Sequence, residues 1–320
     1  MSGTTVRITS RADELAEGLF GQVILYVFEV LPYLRRKGSF PDWSIRSRFY
    51  GGEAATTIPG VLDLAYRPGP VGGDVPLSLL RDRHCSQLGD DWRALHALWS
   101  AYFRVPDRVE RAADALGPTD RTLGVHYRGT DKLAADWDTN PVGRADMVAI
   151  VRDFLRRRPE LDRVFVATDD DRFADGLRGE LGLEVVDLGP VGFHKADGER
   201  SEGLAKADRA LLDCVALSRC RAVLKTSSAL SGFAKVLNPD LEIYRCAASK
   251  LFADIPYFPV AFIPPYRSDD PEVAAILGRL MADDWTGAMR KPEKFGWRPR
   301  RLKRELKWAA LELLRGAPVR

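Results

Sequence analysis

The chain has 320 residues, of which 45% are hydrophobic and 29% are charged, and its formal net charge is +3. This composition is typical of a globular protein with a buried core, and the length allows two ordinary domains or one large one. The sequence contains no internal repeat and no low-complexity tract, which excludes a solenoid and a largely disordered chain.

The charge is unevenly distributed along the chain. Residues 291–320 contain ten Lys/Arg and three Asp/Glu, so this tail carries +7 and the remaining residues carry −4. A mildly acidic body argues against a nucleic-acid partner. In the tail, apolar residues fall near one face and basic residues around the rest, which predicts a basic amphipathic helix. That helix would either contact anionic lipid or pack on the body.

Cysteine usage and the apolar stretches bear on the compartment. The four cysteines, Cys85, Cys214, Cys220 and Cys246, form no CxxC pair and no zinc-ligand spacing. We therefore expect no disulfide framework and no metal site. The N-terminal residues lack the pattern of a signal peptide, and the most apolar stretch, 19–34, is too short to span a bilayer. We expect a core helix there and a cytoplasmic protein, peripheral at the inner membrane if the tail binds lipid.

The first part of the chain predicts a small α/β lobe. Residues 6–8 form a candidate strand, a glycine turn is expected at 18–21, and a helix follows through Leu34. Residues 43–45 are the next candidate strand. A helical pattern over 105–116 then ends at the breakers Gly117 and Pro118, which predicts a domain boundary there.

The second part of the chain alternates short apolar strands with helices. Strands are predicted at 122–127, 163–168, 183–188, 222–225 and 241–244, and helices at 144–158, 171–182, 204–219 and 230–237. Strands that are apolar on both faces indicate a parallel sheet covered on both sides, and right-handed crossovers make it doubly wound and Rossmann-like. We therefore predict an α/β protein with lobes at 1–118 and 119–288, a tail at 289–320, and a cleft between the lobes.

Charged residues follow the strand at 122–127 directly. The run from His126 to Lys132 presents His126, Arg128, Asp131 and Lys132 at the strand end. Charges at the end of a buried strand require a partner, and the planar fork of an arginine binds two phosphate oxygens while a lysine acts as a point charge. The run predicts a phosphate site, or alternatively an ion pair of Asp131 with Arg128 or Lys132 that only fixes the turn.

Two further polar clusters lie at predicted helix starts. Asp169, Asp170 and Asp171 could bind a metal, but aspartates that precede a helix more often cap it. Residues 226–228 either cap the next helix or contact phosphate at its N-terminus. Lys206 and Arg209, on the helix that carries Asp213, are predicted to be solvated.

The run His126-Tyr-Arg-Gly-Thr-Asp-Lys132 resembles the HxRRxDK motif of the α1,6-fucosyltransferase and NodZ family, within the wider GDP-fucose-dependent superfamily. Phe165-Val-Ala-Thr-Asp-Asp170 resembles the second motif of that family. The segments 210–213 and 217–228 resemble the third. The resemblance covers about residues 120–250, and residues 18–22 are weakly similar to the glycine turn of the acceptor lobe in that family. It implies the GT-B arrangement of two Rossmann-like lobes, with the acceptor on the N-terminal side and the donor in 119–288.

The resemblance also implies roles for single residues. Arg128 matches the arginine that binds the donor pyrophosphate, and His126 and Asp213 match positions that contact the nucleoside. Ser228, or Ser227 beside it, matches the serine of the phosphate region, and Lys132 joins the donor-binding set. Gly129 departs from the second arginine of the family motif, whose contacts are to the pyrophosphate or the acceptor.

The resemblance also implies a position for the catalytic base. Asp136 lies where the α1,6-transferases carry a proposed glutamate, with a shorter side chain. Asp131 is a second candidate base and His126 a third. An inverting displacement needs such a base on the acceptor hydroxyl.

Together these features predict an inverting glycosyltransferase that uses GDP-fucose or a related GDP-sugar on a saccharide acceptor, in bacterial surface glycan synthesis. No cofactor and no metal are expected. Two alternatives stay open: a transferase for another GDP-hexose, and a non-catalytic, membrane-associated protein that binds nucleotide sugars.

Overall fold

A computed structural model describes residues 5–11, 18–47, 50, 56–80, 88–133, 139–189, 203–250, 258–284, 306 and 310. The chain divides into two compact units, one centred on Met1–Pro106 and the other on Asp107–Asp197 with Arg209–Ala288. Of the predicted features, Cys85, Asp136 and all but two residues of the basic tail lie outside the described residues.

The first unit contains a parallel sheet of three strands. Strand β1 (Thr5–Thr9) lies between β2 (Asp42–Ser44) and β4 (Val71–Pro76). Strands β3 (Asp63–Leu64) and β5 (Phe103–Arg104) form a separate antiparallel pair. The helices of this unit are α1 (Leu25–Arg36), α2 (Leu77–Leu80) and α3 (Trp92–Ser100).

The helix predicted from the apolar stretch is present, but the glycine turn expected at 18–21 is wrong. Residues Leu19–Ile24 form a π-helical turn that runs directly into α1. Apolar side chains on both sides of this junction, such as Val23, Val27 and Phe28, are completely buried. Burial thus continues across the point where the sequence suggested a turn, and the segment is a core helix as predicted.

The second unit contains five parallel strands in the order β10-β9-β6-β7-β8. The strands are β6 (Thr122–Tyr127), β7 (Arg163–Thr168), β8 (Glu184–Asp187), β9 (Ala222–Lys225) and β10 (Glu242–Arg245). The helices are α4 (Asp107–Leu116), α5 (Arg144–Arg157), α6 (Asp171–Leu181), α7 (Gly203–Arg219), α8 (Ala229–Leu237) and α9 (Pro271–Leu280). Counted from β6, the strand order is the 3-2-1-4-5 order of a doubly wound sheet. The predicted α/β class, with a parallel sheet in each of two units, is confirmed.

Strand β6 is buried along its whole length. Leu123, Val125 and Tyr127 pack into a core formed with residues of α5, α6 and α9. The alternate residues point to the other face, where a Cβ built on Gly124 would lie 2.9 Å from Leu217 of α7. Helices therefore cover both faces of the central strand, which explains why its sequence is continuously apolar.

The order of the strands places a topological switch point between β6 and β9. From β6 the chain crosses to β7 on one side, and from β9 it crosses to β10 on the other. Ligands of doubly wound sheets bind outside the carboxyl ends of the strands at this point. The residues that leave these two strand ends are Arg128 to Thr130 and Thr226 to Ser228.

Candidate anion-binding site

The chain segments that leave β6 and β9 are joined by hydrogen bonds. The Thr226 amide donates to the His126 carbonyl oxygen at 3.0 Å. The Arg128 amide donates to Thr226 Oγ1 at 2.9 Å. These contacts continue the pairing of the two strands past their ends and fix the Arg128 backbone beside the segment that begins α8.

The guanidinium group of Arg128 is held by Asp169, the first residue after β7. Arg128 Nε donates to Asp169 Oδ2 at 2.7 Å. The same carboxylate accepts from the Gly129 amide at 2.8 Å and from Thr130 Oγ1 at 2.7 Å. The Asp169 side chain is 2% exposed and that of Arg128 is 20% exposed. Asp169 therefore fixes the turn after β6 and the orientation of Arg128.

The sequence predicted that the aspartates at 169–171 cap α6, and the structure confirms this role for Asp170. Asp170 is the N-cap and accepts from the Arg172 amide at 3.1 Å. It also pairs with Arg144 of α5, whose Nη2 donates to Asp170 Oδ1 at 2.9 Å. The capping role predicted for Asp169 is wrong, because its oxygens accept from the turn after β6 instead.

Gly129 is packed too closely to carry a side chain. A Cβ built there would lie 2.4 Å from Tyr127 Cε1 and 2.6 Å from Asp170 Oδ2. Distances this short require a neighbour to move, and Tyr127 is stacked on Phe173 with ring centroids 4.2 Å apart. The second arginine of the motif that the sequence resembles therefore has no room at this position.

His126 lies on the face of β6 that α8 covers. Its Nδ1 is 2.8 Å from Ser231 Oγ, and the residue is 4% exposed. Burial lowers the pKa of His126 well below its usual value, and the charges of Arg128 and Lys225 lower it further. His126 is therefore a neutral imidazole at neutral pH, and its hydrogen bond ties β6 to α8.

Lys225 is a site residue that the sequence reasoning missed. It ends β9 opposite His126 in the strand register, and it is completely buried. A buried ammonium group at the switch point places a second cation next to Arg128. Lys225 ends an apolar run, as Arg128 follows one, and this pattern could have identified it.

The N-terminus of α8 presents hydrogen-bond donors to the same place. Ser228 occupies the N-cap position, yet its side chain makes no capping hydrogen bond in the described part of the chain. Ser227 is 3% exposed, and its Oγ has no hydrogen-bond partner among the described residues. The capping role considered for residues 226–228 is therefore not filled by Ser228. Uncapped N–H groups beside a buried hydroxyl favour an anion.

Asp213 lies on α7 and is 4% exposed. Burial raises the pKa of Asp213 to about 7, the charge of Asp187 adds to this shift, and Arg209 opposes it. Arg209 Nη2 donates to the Gly189 carbonyl at 2.9 Å, and its Nε lies 3.8 Å from Asp213 Oδ1. The solvated position predicted for Arg209 is therefore wrong.

The remaining predicted residues follow the turn after β6. Lys132 is half-buried in a 3-10 turn formed by Asp131–Leu133. The side chain of Asp131 and the whole of Asp136 lie outside the described residues, so their roles stay predictions. Among the residues that the structure describes, no group of three or more His, Cys, Asp or Glu side chains could hold a metal ion.

The site thus combines a fixed guanidinium and a buried ammonium with the N-terminus of α8. In the described chain, the Ser227 hydroxyl there has no partner and the Ser228 side chain makes no capping bond. Arg128 pairs with Asp169 and Arg144 with Asp170, and the buried Lys225 adds a further cation at the end of β9. This arrangement is suited to a phosphate or diphosphate group.

No protein-family model matches the sequence, and no curated protein matches it. Several solved structures are similar to the chain. Fucosyltransferase NodZ from Bradyrhizobium is 16% identical with a TM-score of 0.44, covering 74% of this chain and 94% of that one. A mutant of Arabidopsis thaliana FUT1 in complex with GDP is 12% identical with a TM-score of 0.44, covering 77% and 72%. POFUT1 in complex with GDP-fucose is 11% identical with a TM-score of 0.45, covering 77% and 98%.

Proposed function

We propose that the chain is a glycosyltransferase that transfers fucose, or a related sugar, from a GDP-sugar to a saccharide acceptor with inversion at the anomeric carbon. The observation that carries the proposal is the position of Arg128. It leaves the central strand at the topological switch point, and its orientation is fixed by Asp169 Oδ2 at 2.7 Å.

The diphosphate of the donor is assigned to the space between Arg128 and the N-terminus of α8. The planar guanidinium fork of an arginine can bind two phosphate oxygens, and the bond from Nε to Asp169 fixes the orientation of this fork. The proposal gives the terminal Nη groups to phosphate oxygens, with the Ser227 or Ser228 hydroxyl and the first amides of α8 on the same group. The ammonium groups of Lys225 and Lys132 add positive potential.

The identity of the nucleoside and the sugar rests on the three sequence motifs. They resemble those of GDP-fucose-dependent enzymes, and they assign His126 and Asp213 to the nucleoside. The neutral state of His126 suits a hydrogen bond with an uncharged base or ribose, because no charge is then left buried without a partner.

The proposed reaction is a single displacement. The acceptor hydroxyl oxygen bonds to the anomeric carbon as the bond from that carbon to the phosphate oxygen breaks, and the hydroxyl proton passes to a carboxylate. GDP leaves with the bonding electron pair. The charge that develops on the leaving phosphate is greater in the transition state than in the bound donor, so a fixed cation there accelerates the reaction.

Asp136 is the base that we propose, and Asp131 is the second candidate. His126 is the weakest of the three, since it is buried, its Nδ1 is bonded to Ser231, and its pKa is lowered by burial and by two neighbouring cations. A group with a low pKa is a poor acceptor for an alcohol proton.

The acceptor and the cellular setting are also part of the proposal. A saccharide acceptor of the bacterial cell surface, lipid-linked or free, fits the predicted affinity of the basic tail, 291–320, for anionic lipid. In the described part of the chain no helix is both long and apolar enough to cross a bilayer. Attachment to a membrane would then be peripheral.

The experiment that tests this function compares Asp136→Asn with the wild type. Donor binding is followed by thermal stabilisation with GDP-fucose and with other GDP-hexoses, and turnover by GDP release. We expect Asp136→Asn to bind the donor like the wild type and to lose turnover by at least about 100-fold, as for removal of a general base.

Asp138→Asn, two positions later in the same segment, is the matched control and should retain turnover. Turnover by Asp136→Asn at the wild-type rate would show that Asp136 is not the base. Donor binding by the wild type without release of GDP would favour the non-catalytic alternative. Stabilisation only by a GDP-hexose other than GDP-fucose would change the donor assigned here.

A further inference from the structure

A second surface feature lies in the first unit, on residues that the proposed reaction does not use. Phe40 is 48% exposed although its ring is part of an aromatic cluster. Its ring centroid lies 4.9 Å from that of Tyr66 and 5.5 Å from that of Tyr102. These three rings, with Arg35, Arg36, Lys37 and Arg67, are called the aromatic–basic patch below.

The exposed position of Phe40 is fixed by the residues beneath it. The Tyr102 hydroxyl donates to the Ser39 carbonyl at 3.1 Å, and the Tyr66 hydroxyl donates to the Pro41 carbonyl. The backbone on both sides of Phe40 is therefore held by buried or half-buried tyrosines. The phenyl ring is supported from below and presents its outer part to solvent.

The chain segments that carry two of these rings are basic. The two chain segments that form the patch, 33–41 and 65–71, contain four Lys/Arg and no Asp/Glu. Arg35, Arg36 and Arg67 are exposed, and the charge of Arg35 acts on the Tyr102 hydroxyl. The first carboxylate after the patch, Asp42, is engaged by Arg7, whose Nε donates to Asp42 Oδ2 at 2.6 Å.

The patch lies at the amino edge of the β2-β1-β4 sheet. Phe40 precedes β2, and Arg67 precedes β4, where the Thr5 amide donates to the Pro70 carbonyl at 3.0 Å. Val71, the first residue of β4, is also 38% exposed at this edge. Substrates of parallel α/β sheets bind at the opposite, carboxyl edge. The patch is therefore separate from the substrate-binding edge of its own sheet.

We propose that the aromatic–basic patch binds the surface of an anionic lipid bilayer. An apolar ring inserts at the boundary of headgroups and acyl chains, while Lys and Arg side chains beside it reach the lipid phosphates. A soluble polyanion would use the cations but would leave the phenyl ring in water. The combination of both features favours the bilayer, and the proposal does not depend on the transferase assignment.

The test measures binding of the full-length protein to sedimented vesicles of phosphatidylcholine, with and without phosphatidylglycerol. We expect binding only to the vesicles that contain phosphatidylglycerol. Arg35→Ser with Arg36→Ser should weaken it by roughly 30-fold, because each of the two cations near an anionic surface adds about 1 kcal/mol. Phe40→Ser should weaken it by roughly 3- to 10-fold through the loss of apolar burial, with the charge unchanged.

Arg11→Ser with Arg93→Ser is the matched control, since it removes the same charge from exposed positions of the same unit, Arg11 beyond the carboxyl end of β1 and Arg93 near the start of α3. We expect this control to bind like the wild type to within about 2-fold, because charges away from the bilayer are screened. If the control variant lost as much vesicle binding as the patch variant, the loss would reflect net charge alone, and the proposal that the patch binds the bilayer would be overturned. Wild-type binding by the Arg35 and Arg36 double variant, which changes only exposed side chains, would also overturn it. Binding to dextran sulfate but not to vesicles would assign the cations to a soluble polyanion instead.

Discussion

Arg128 lies where a buried strand ends, and two groups of the following turn share its carboxylate partner, Asp169. Arg128 Nε, the Gly129 amide and Thr130 Oγ1 all donate to Asp169 at 2.7–2.8 Å. A guanidinium fixed in this way does not need to reorient as charge develops on a leaving phosphate. In the proposed reaction Asp169 is thus a positioning residue, and Arg128 is the group that touches the donor.

Asp213 gives a prediction for the pH dependence of stability. Its pKa is about 7 in the folded protein, whereas an aspartate in an unfolded chain titrates near 4. Between these values the folded state binds more protons, so the free energy of unfolding should fall as pH rises from about 4 to 7, and level above that. Urea denaturation at a series of pH values measures this slope.

Asp213→Asn should remove most of this decrease in the free energy of unfolding, since an amide does not titrate. We expect the difference in the free energy of unfolding between the variant and the wild type to change by roughly 2–4 kcal/mol between about pH 4 and pH 7. Parallel pH dependences of the two proteins would contradict the buried, raised-pKa state of Asp213.

The residues of the site differ in how far the sequence predicted them. Arg128 could be predicted because a charge directly after a buried strand requires a partner, and Ser228 or Ser227 because residues 226–228 begin a helix and match a family motif. Asp169 was assigned to capping because the side chain of a residue before a helix can either cap that helix or contact the end of a neighbouring strand. Only the order of the strands in the sheet places it beside Arg128, 41 positions earlier. Lys225 was missed for the same reason, since its position beside His126 depends on the pairing of β6 with β9.

At the scale of elements, the turn between β6 and the 3-10 turn depends on one glycine. We expect Gly129→Ala to cost about 1–3 kcal/mol of folding stability, because its Cβ would lie 2.4 Å from Tyr127 Cε1 and overpacking is destabilising. The variant should also weaken GDP binding, since the Gly129 amide and Arg128 share Asp169. Denaturation and calorimetry measure the two effects.

Gly176→Ala is the matched control for this substitution. Gly176 lies within α6, and a Cβ built there meets nothing within 4 Å. Since glycine is unfavourable in a helix interior by about 0.5–1 kcal/mol, the control should be neutral or stabilising. A loss of stability at Gly176 and none at Gly129 would contradict the packing described for the turn.

The five strands of the second unit and the helices between them match the sequence prediction closely, whereas α9 was not predicted. Strands 122–127, 163–168 and 222–225 were predicted with the ends that the structure gives. Their apolar runs are short and bounded by charged residues, so both ends are visible. The π-helical turn at Leu19–Ile24 was not predicted, because two glycines suggest a turn and only burial of the flanking apolar residues keeps the segment helical.

At the scale of the whole molecule, the two proposals assign separate roles to separate surfaces. The carboxyl edge of the five-stranded sheet is assigned to the nucleotide sugar, and the amino edge of the three-stranded sheet to a bilayer. In such a division the second unit would bind the donor while the first unit contacts the membrane that carries a lipid-linked acceptor. The predicted boundary near residue 118 and the basic tail stay predictions.

Calorimetric titration of GDP into the wild type and into Arg128→Ala tests the central claim most directly. We expect the wild type to bind GDP and the variant to lose about 2–4 kcal/mol of binding free energy, or roughly 30- to 1000-fold in affinity. Arg172→Ala, an exposed arginine near the start of α6, serves as the control and should bind GDP like the wild type. An unchanged affinity of Arg128→Ala for GDP would contradict the assignment of the switch point to the donor diphosphate.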